Sequence, residues 1–301
     1  MQRVGSDADR PSSSPRLRSD YEILRRWYHD PRPPERLVAH YELERRLAER
    51  LRHSSRAERT RLYAELNEEL FAALPDHPQR TADRTQASSA FASELRLVMR
   101  FLAADSTYLD VGCGDAAIPF AVAPRVARSL GLDVTDKLID HAAAPPNFRF
   151  VPTSGWEIPL PDGSVDFAYS NQLMEHLHVE DAMDQLRELF RVLKPGGRYL
   201  CRTPSRLNGP HDISCYFDTV ATGFHMREYD GRALDLLFRE TGFRRTRFLL
   251  VVHNRVVGSM PRTLQYAAER LTESLPSALR SRLPTMRVLQ PLLGVNLLAT
   301  K

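Results

Sequence analysis

From residue 107 onward, short apolar runs alternate with stretches of helical periodicity, and this pattern restricts the fold more than any other feature of the chain. The runs are Tyr108 to Val111, Ser129 to Leu132, Phe148 to Val151, Val165 to Ser170 and Arg198 to Arg202. Asp115 to Arg125, Asp136 to Ala143 and Val179 to Leu193 fall between them, and Asp230 to Thr241 follows the last, all read as helices. Strands joined through helices run parallel, because the crossover returns the chain to the same end of the sheet. The expected fold class is α/β: a Rossmann-like, doubly wound, mostly parallel sheet. Two later runs, Arg247 to His253 and Gly294 to Thr300, lack an intervening crossover of the earlier type. They are expected to form an antiparallel pair at the sheet edge, making seven strands, with a helical insert at about 262–282 between them.

The front of the chain has a different texture. Residues 1–15, with three serines between Pro11 and Pro15, offer nothing to bury and read as a disordered tail. In residues 16–80 apolar positions recur at helical spacing, through Leu37, Tyr41, Leu47 and Leu51, then Leu62, Leu66, Leu70 and Leu74. Ser55 followed by Glu58 is a capping-box spacing, and Pro75 with Pro78 ends that helix. A further helix carries Phe91, Leu95, Val98 and Leu102. The division expected is a tail at 1–15, a helical lid at 16–80 and the sheet domain at 81–301.

At 301 residues, with 42% hydrophobic and 27% charged side chains, the chain can bury a core without disulfides or metal staples. No apolar run approaches the roughly 20 residues of a membrane span, and the opening residues have no signal-peptide core, so a cytoplasmic location is expected. Cys113, Cys201 and Cys215 are too scattered for a disulfide framework and read as free thiols. The net charge is +4, and only three of the 42 basic residues are lysine. Arginines alternate with acids along stretches such as Glu42 to Arg52, the pattern of solvated helix faces and not of a nucleic-acid surface. The expected partner is a small-molecule substrate, not nucleic acid or membrane, and the helical front is the face through which copies of the chain could associate.

The most informative stretch runs from Tyr108 to Ala116, where Gly112 and Gly114 join a buried strand to a helix. Glycine lets the backbone turn tightly and approach a ligand, with helix-start N–H groups exposed to it. Asp110 stands before the glycines, where a negative charge attracts an ammonium group and gives no help to a pyrophosphate. Asp133 ends the second strand about 20 residues further on, the position from which a carboxylate grips ribose hydroxyls. Cys113 fills space below such a ligand. An ammonium group and a ribose on one molecule satisfy both acids.

With these residues the sequence resembles the class I S-adenosylmethionine-dependent methyltransferases, in particular the small-molecule branch of ubiquinone-biosynthesis-like sequences. The resemblance spans roughly residues 85–253 and rests on four ordered motifs: LDVGCGDA from 109, LGLDVT from 130, IPLPDGSVDFAYSNQLMEHL from 158 and LRELFRVLKPGGRYLCRTPS from 186. It implies S-adenosyl-L-methionine as cofactor. Asp110, Gly112 and Gly114 would then surround its methionine part, and Asp133 its ribose. Val134 would pack on the adenine, Gly155 and Trp156 would flank that ring, and Ser170 and Asn171 would approach the amino-acid end. Ser154 stands where the family usually has an acid, and would serve the adenine amino group as a neutral acceptor. Trp156 reads equally well as an ordinary half-buried aromatic.

Methyl transfer from a sulfonium is an in-line displacement, so the protein places the nucleophile and, for a hydroxyl, removes a proton. Three histidines fall near the expected binding edge. His211 follows the fifth strand and is the first choice as base; His176, after the fourth strand, is favoured for positioning; His225 ranks third. No metal is expected, because His176 and His178 are spaced so that their rings point apart. The Asn/Asp-Pro-Pro-aromatic signature of exocyclic-amine methylation is missing, Ser170-Asn171-Gln172-Leu173 occupying the equivalent place. The function expected is methyl transfer to a hydroxyl or amine of a small molecule, of the kind found in specialised metabolism. The alternatives are an NAD(P)-dependent oxidoreductase, weakened by Asp110 and the absence of a third glycine, and a non-catalytic cofactor-binding partner.

Overall fold

A computed structural model of the chain describes residues 15–77, 84–252, 255–276 and 294–301. The tail expected at 1–15 lies almost entirely outside the described residues, as does the insert beyond 276. Three helices lead: α1 (Tyr21–Trp27), α2 (Pro34–Arg52) and α3 (Arg56–Ala73). The capping box forms as expected, the Ser55 hydroxyl accepting from the Glu58 N–H while the Glu58 carboxylate takes the Ser55 N–H at 2.8 Å. Helix α4 (Arg84–Met99) then leads into β1 (Thr107–Val111).

Strands β2 (Arg128–Asp133), β3 (Phe148–Pro152), β4 (Val165–Asn171) and β5 (Leu193–Thr203) run parallel to β1 in the order β3-β2-β1-β4-β5. Helices α5 (Ala117–Val122) and α6 (Val179–Val192) lie on the crossovers, and α7 (Gly231–Glu240) follows β5. The expected helix at 136–143 is only a 3-10 turn at His141–Ala143. Its acids explain this: Asp140 accepts from the Ala142 N–H and Asp136 binds the His141 ring, tying the backbone into a local turn.

The far side of the sheet differs from expectation. Strands β6 (Arg245–Val252) and β7 (Arg255–Met260) form an antiparallel hairpin, helix α8 (Arg262–Ser274) follows, and β8 (Val295–Thr300) inserts antiparallel between β5 and β6. The sheet therefore has eight strands, ordered β3-β2-β1-β4-β5-β8-β6-β7, and the antiparallel strand at 295–300 is interior. Burial accounts for its place. Residues 295–299 are all buried, which an interior strand provides, whereas β7 alternates between exposed and half-buried residues as an edge strand does.

Both faces of the parallel strands are covered, so consecutive residues feed different cores. Leu109 and Val111 point into the core shared with α2, α3 and α6, through Leu47, Leu66 and Leu186. Tyr108 joins Phe167, Leu200 and Leu298 on the other face, under Leu97 and Val98 of α4. The leading helices are fastened by a buried ion pair. Arg59 of α3, 2% exposed, donates to both oxygens of Asp181 on α6, at 2.8 and 3.1 Å.

Candidate active site

Strands β1 and β4 are neighbours whose connections leave in opposite directions, so their carboxyl ends open a crevice at the switch point of the sheet. The loop after β1 turns there. Gly112 has φ +76°, which favours glycine, and a Cβ on it would lie a tight 3.1 Å from the Leu173 side chain. The N–H groups of Gly112 and Cys113 donate to the Leu132 carbonyl, at 2.8 and 3.1 Å, which locks the loop onto the end of β2. Asp133 completes the lock, one carboxylate oxygen taking the Gly114 N–H at 2.8 Å and the other the Val134 N–H at 2.7 Å. Burial raises the pKa of Asp133 against these two donors, and its remaining lone pairs can accept from a diol.

A cavity of about 1140 Å³ opens from this loop toward the leading helices. Gly112, Gly114, Asp133, Val134 and Gly155 line one end, and His176, His211 and His225 the other. The remaining expected residues stand behind the wall. Asp110 is buried beneath the loop, its pKa raised well above the carboxylate range by burial and by the neighbouring carboxylate of Glu94. Glu94 also accepts from Tyr169 at 2.7 Å and Asn171 at 2.9 Å. Ser170 bonds Tyr199 inside the sheet, Cys113 packs over Gly131, and it is Gln172 and Leu173 that reach the cavity from this segment. Trp156, 5% exposed, sits in the core with the Arg56 guanidinium 4.7 Å from its ring centre, outside the cavity lining.

The end of the cavity near Gly155 is prepared for a polar planar group. Gly155 has φ +112°, and a Cβ there would come within 2.8 Å of the Tyr63 ring. Gln185 donates to the Gly155 carbonyl at 2.6 Å, while its own Oε1 and the Ser154 Oγ are buried with no hydrogen-bond partner among the described residues. Two orphan oxygens beside a cleft are the acceptors that an adenine amino group supplies with donors. With the buried Asp110, the half-buried Glu94 beside it and lone pairs on Asp133 free for a diol, the residues present fit S-adenosylmethionine.

The histidines at the other end are held in different states. His211 Nε2 lies 3.2 Å from the Ser205 carbonyl, so that nitrogen carries the proton and Nδ1 the lone pair. Burial lowers its pKa, with Glu228 opposing. Burial lowers His176 to about 4, helped by the charge on His225. His225 goes the other way: burial opposes its charge, but the Glu228 carboxylate 2.8 Å from Nδ1, backed by Asp212 and Glu175, lifts it to about 9. Glu175 is raised to about 7 by burial. His178 takes no part, its ring capping α6 at the Glu180 N–H.

Sequence reasoning missed the contribution of α2. Arg32 donates to His40 Nδ1 at 2.7 Å, His40 Nε2–H donates to Glu44 at 2.7 Å, and Glu44 takes the Phe224 N–H at 2.9 Å. The Phe224 carbonyl in turn accepts from His176 Nδ1 at 3.1 Å. One signal was available: His40 and Glu44 fall on the stripe of Leu37, Tyr41, Leu47 and Leu51, where polar residues are buried only with partners.

Residues 109–201 match the family described as "Methyltransferase domain". A Mycolicibacterium smegmatis protein described as "Probable S-adenosylmethionine-dependent methyltransferase" is 35% identical over 136 residues, 45% of this chain and 51% of its own. A Mycobacterium tuberculosis protein of the same description is 31% identical over 149 residues, 49% and 52% of the two chains. The demethylmenaquinone methyltransferase of Listeria monocytogenes is 29% identical over 170 residues, 47% of this chain and 71% of its own. The chain thus spans about half the length of the first two relatives. In fold it is similar to the methyltransferase solved with the Haloferax volcanii Trm112 methyltransferase activator, with a TM-score of 0.52 at 16% identity, over 76% of this chain and 95% of that one. The matched stretch contains the glycine loop, Asp133 and the strand that precedes the histidine turn, and over about half its length the chain is similar to S-adenosylmethionine-dependent methyltransferases.

Proposed function

We propose that the protein transfers a methyl group to a hydroxyl or amine of a small molecule held between the glycine loop and the histidine cluster. The observation that carries this reading is one cavity that joins the residues fitted to the cofactor with three histidines, walled at the front by α2, α3 and residues 28–32. Bound S-adenosylmethionine supplies an electrophilic methyl group. The chain's own work is to orient the acceptor and take its proton. His211 is the group for that step, because its Nε2–H is committed to the Ser205 carbonyl and its neutral Nδ1 is available. Tyr28, Phe71 and Tyr216 give the acceptor end an aromatic lining. A hydroxylated ring suits it.

The test is calorimetric titration of the full chain with S-adenosylmethionine and its demethylated product, followed by transfer of a labelled methyl group to a panel of phenols, quinols and amines. Cofactor binding with label incorporated into one acceptor class is the expected result. Preferential binding of a nicotinamide dinucleotide would replace this reading with an oxidoreductase, and cofactor binding without transfer to any acceptor would leave a binding partner.

A further inference from the structure

Three groups at the acceptor end meet in a way that proton removal by His211 does not require. Glu175, His176 and His225 bring one carboxylate oxygen and one nitrogen of each ring within 4.8 Å of one another. Glu175 is fully buried; its Oε2 accepts from the Thr203 hydroxyl at 2.9 Å, and its Oε1 has no partner among the described residues. His176 places Nδ1 3.1 Å from the Phe224 carbonyl, which only an N–H can satisfy, so its lone pair is on Nε2. His225 places Nδ1 2.8 Å from a Glu228 oxygen, leaving Nε2 without a hydrogen bond among the described residues. The rings meet edge to face with centres 4.8 Å apart, and both line the cavity.

Imidazoles that ligate a metal almost always donate their second nitrogen to a carbonyl or carboxylate, which fixes the ring and raises its basicity. Both rings here are held in that way, one of each kind. Two imidazoles that line the cavity, with a buried carboxylate oxygen within reach behind them, form a three-ligand set whose cavity side has room for an exogenous oxygen. The neighbouring group of His40, Glu44 and His77 offers similar atoms at similar spacing but differs in one respect. Both nitrogens of His40 are already committed, to Arg32 and Glu44, and the guanidinium repels a cation.

We propose that Glu175, His176 and His225 bind a divalent first-row transition ion such as zinc or iron(II), through a carboxylate oxygen and the two Nε2 atoms, the ion displacing the Nε2 proton of His225 to solvent. Its binding goes beyond the proposed reaction. Its use, to bind and acidify an acceptor oxygen entering the cavity, rests on that reading.

The experiment strips the full chain with a chelator, then titrates it with Co²⁺ and with Zn²⁺, followed by visible absorption and calorimetry. One equivalent is expected, with cobalt absorption bands of a low-coordinate nitrogen and oxygen site. Glu175→Gln and His225→Gln should each weaken binding by on the order of 10²-fold, and His77→Gln, in the neighbouring group, should leave it unchanged. Absence of saturable binding to the native chain overturns the proposal, whatever the variants do. So does binding that survives in both folded ligand variants, or that is lost in a folded His77→Gln. Circular dichroism melts show whether each variant is folded. Cofactor affinity of the stripped chain is measured separately: its absence would remove the methyl-transfer reading and leave the metal site standing.

Discussion

His211 and Asp133 show how far a single residue's chemistry depends on its neighbours. A free histidine titrates near 6.5, and burial moves His211 below that. A base must be neutral to act, so turnover should rise as pH increases through this lowered pKa and be level at neutrality, the acid limb lying below pH 6.5. His211→Ala should remove that limb and lower turnover by about 10²-fold with cofactor affinity unchanged, read from pH–rate profiles of the two proteins. An unaltered profile would leave positioning as the sole contribution of the ring. Asp133 was legible in sequence as a carboxylate at a strand end. Its bond to the Gly114 amide was not, because it requires β1 and β2 to be side by side. Asp133→Ala should weaken binding of S-adenosylmethionine and its product about 10- to 100-fold by calorimetry, from loss of charged hydrogen bonds at about 1.5–3 kcal/mol each, partly replaced by water.

Among the elements, α3 connects sequence and site most directly. Its start at Ser55 was readable from the capping box, and its apolar stripe from Leu62, Leu66 and Leu70. Which helix it packs against was not readable, since an amphipathic stripe is compatible with any apolar partner. Arg59 decides this by reaching Asp181 on α6, and Tyr63, bonded to the same carboxylate at 2.6 Å, lays its ring over Gly155. Removing one member of a buried ion pair leaves the other charge uncompensated, at a cost of about 3–5 kcal/mol. Arg59→Ala should lower the melting temperature and raise the acceptor KM more than the cofactor Kd, as α3 loosens over the cavity. Equal changes in both constants, seen by kinetics and calorimetry, would show that α3 supports the whole site and not the acceptor end in particular.

At the scale of the molecule, the parallel half of the sheet followed from the alternation of apolar runs and helices, while the other half did not. β8 was visible as a run but its place was not, because its partners β5 and β6 are fixed by where fully buried residues can go. Deleting residues 295–301 should abolish cooperative unfolding and cofactor binding, measured by circular dichroism and calorimetry, since two interior ladders are lost at once. A folded, cofactor-binding product would show that β5 and β6 can close directly. The sequence alone determined the features written in local spacing: the strand–glycine–helix turn, the acid about 20 residues beyond it, the helix caps and the two-sided burial of β1 and β4. Only the tertiary structure decided which polar residues meet. Glu44, Glu175, His176, His211, His225 and Glu228 come from four separate segments, and the hydrogen bonds that set their protonation form only when helix α2 and the loop after β5 pack against the sheet edge. Local periodicity fixes which face a residue presents; it carries no information about the distant side chain that face will touch.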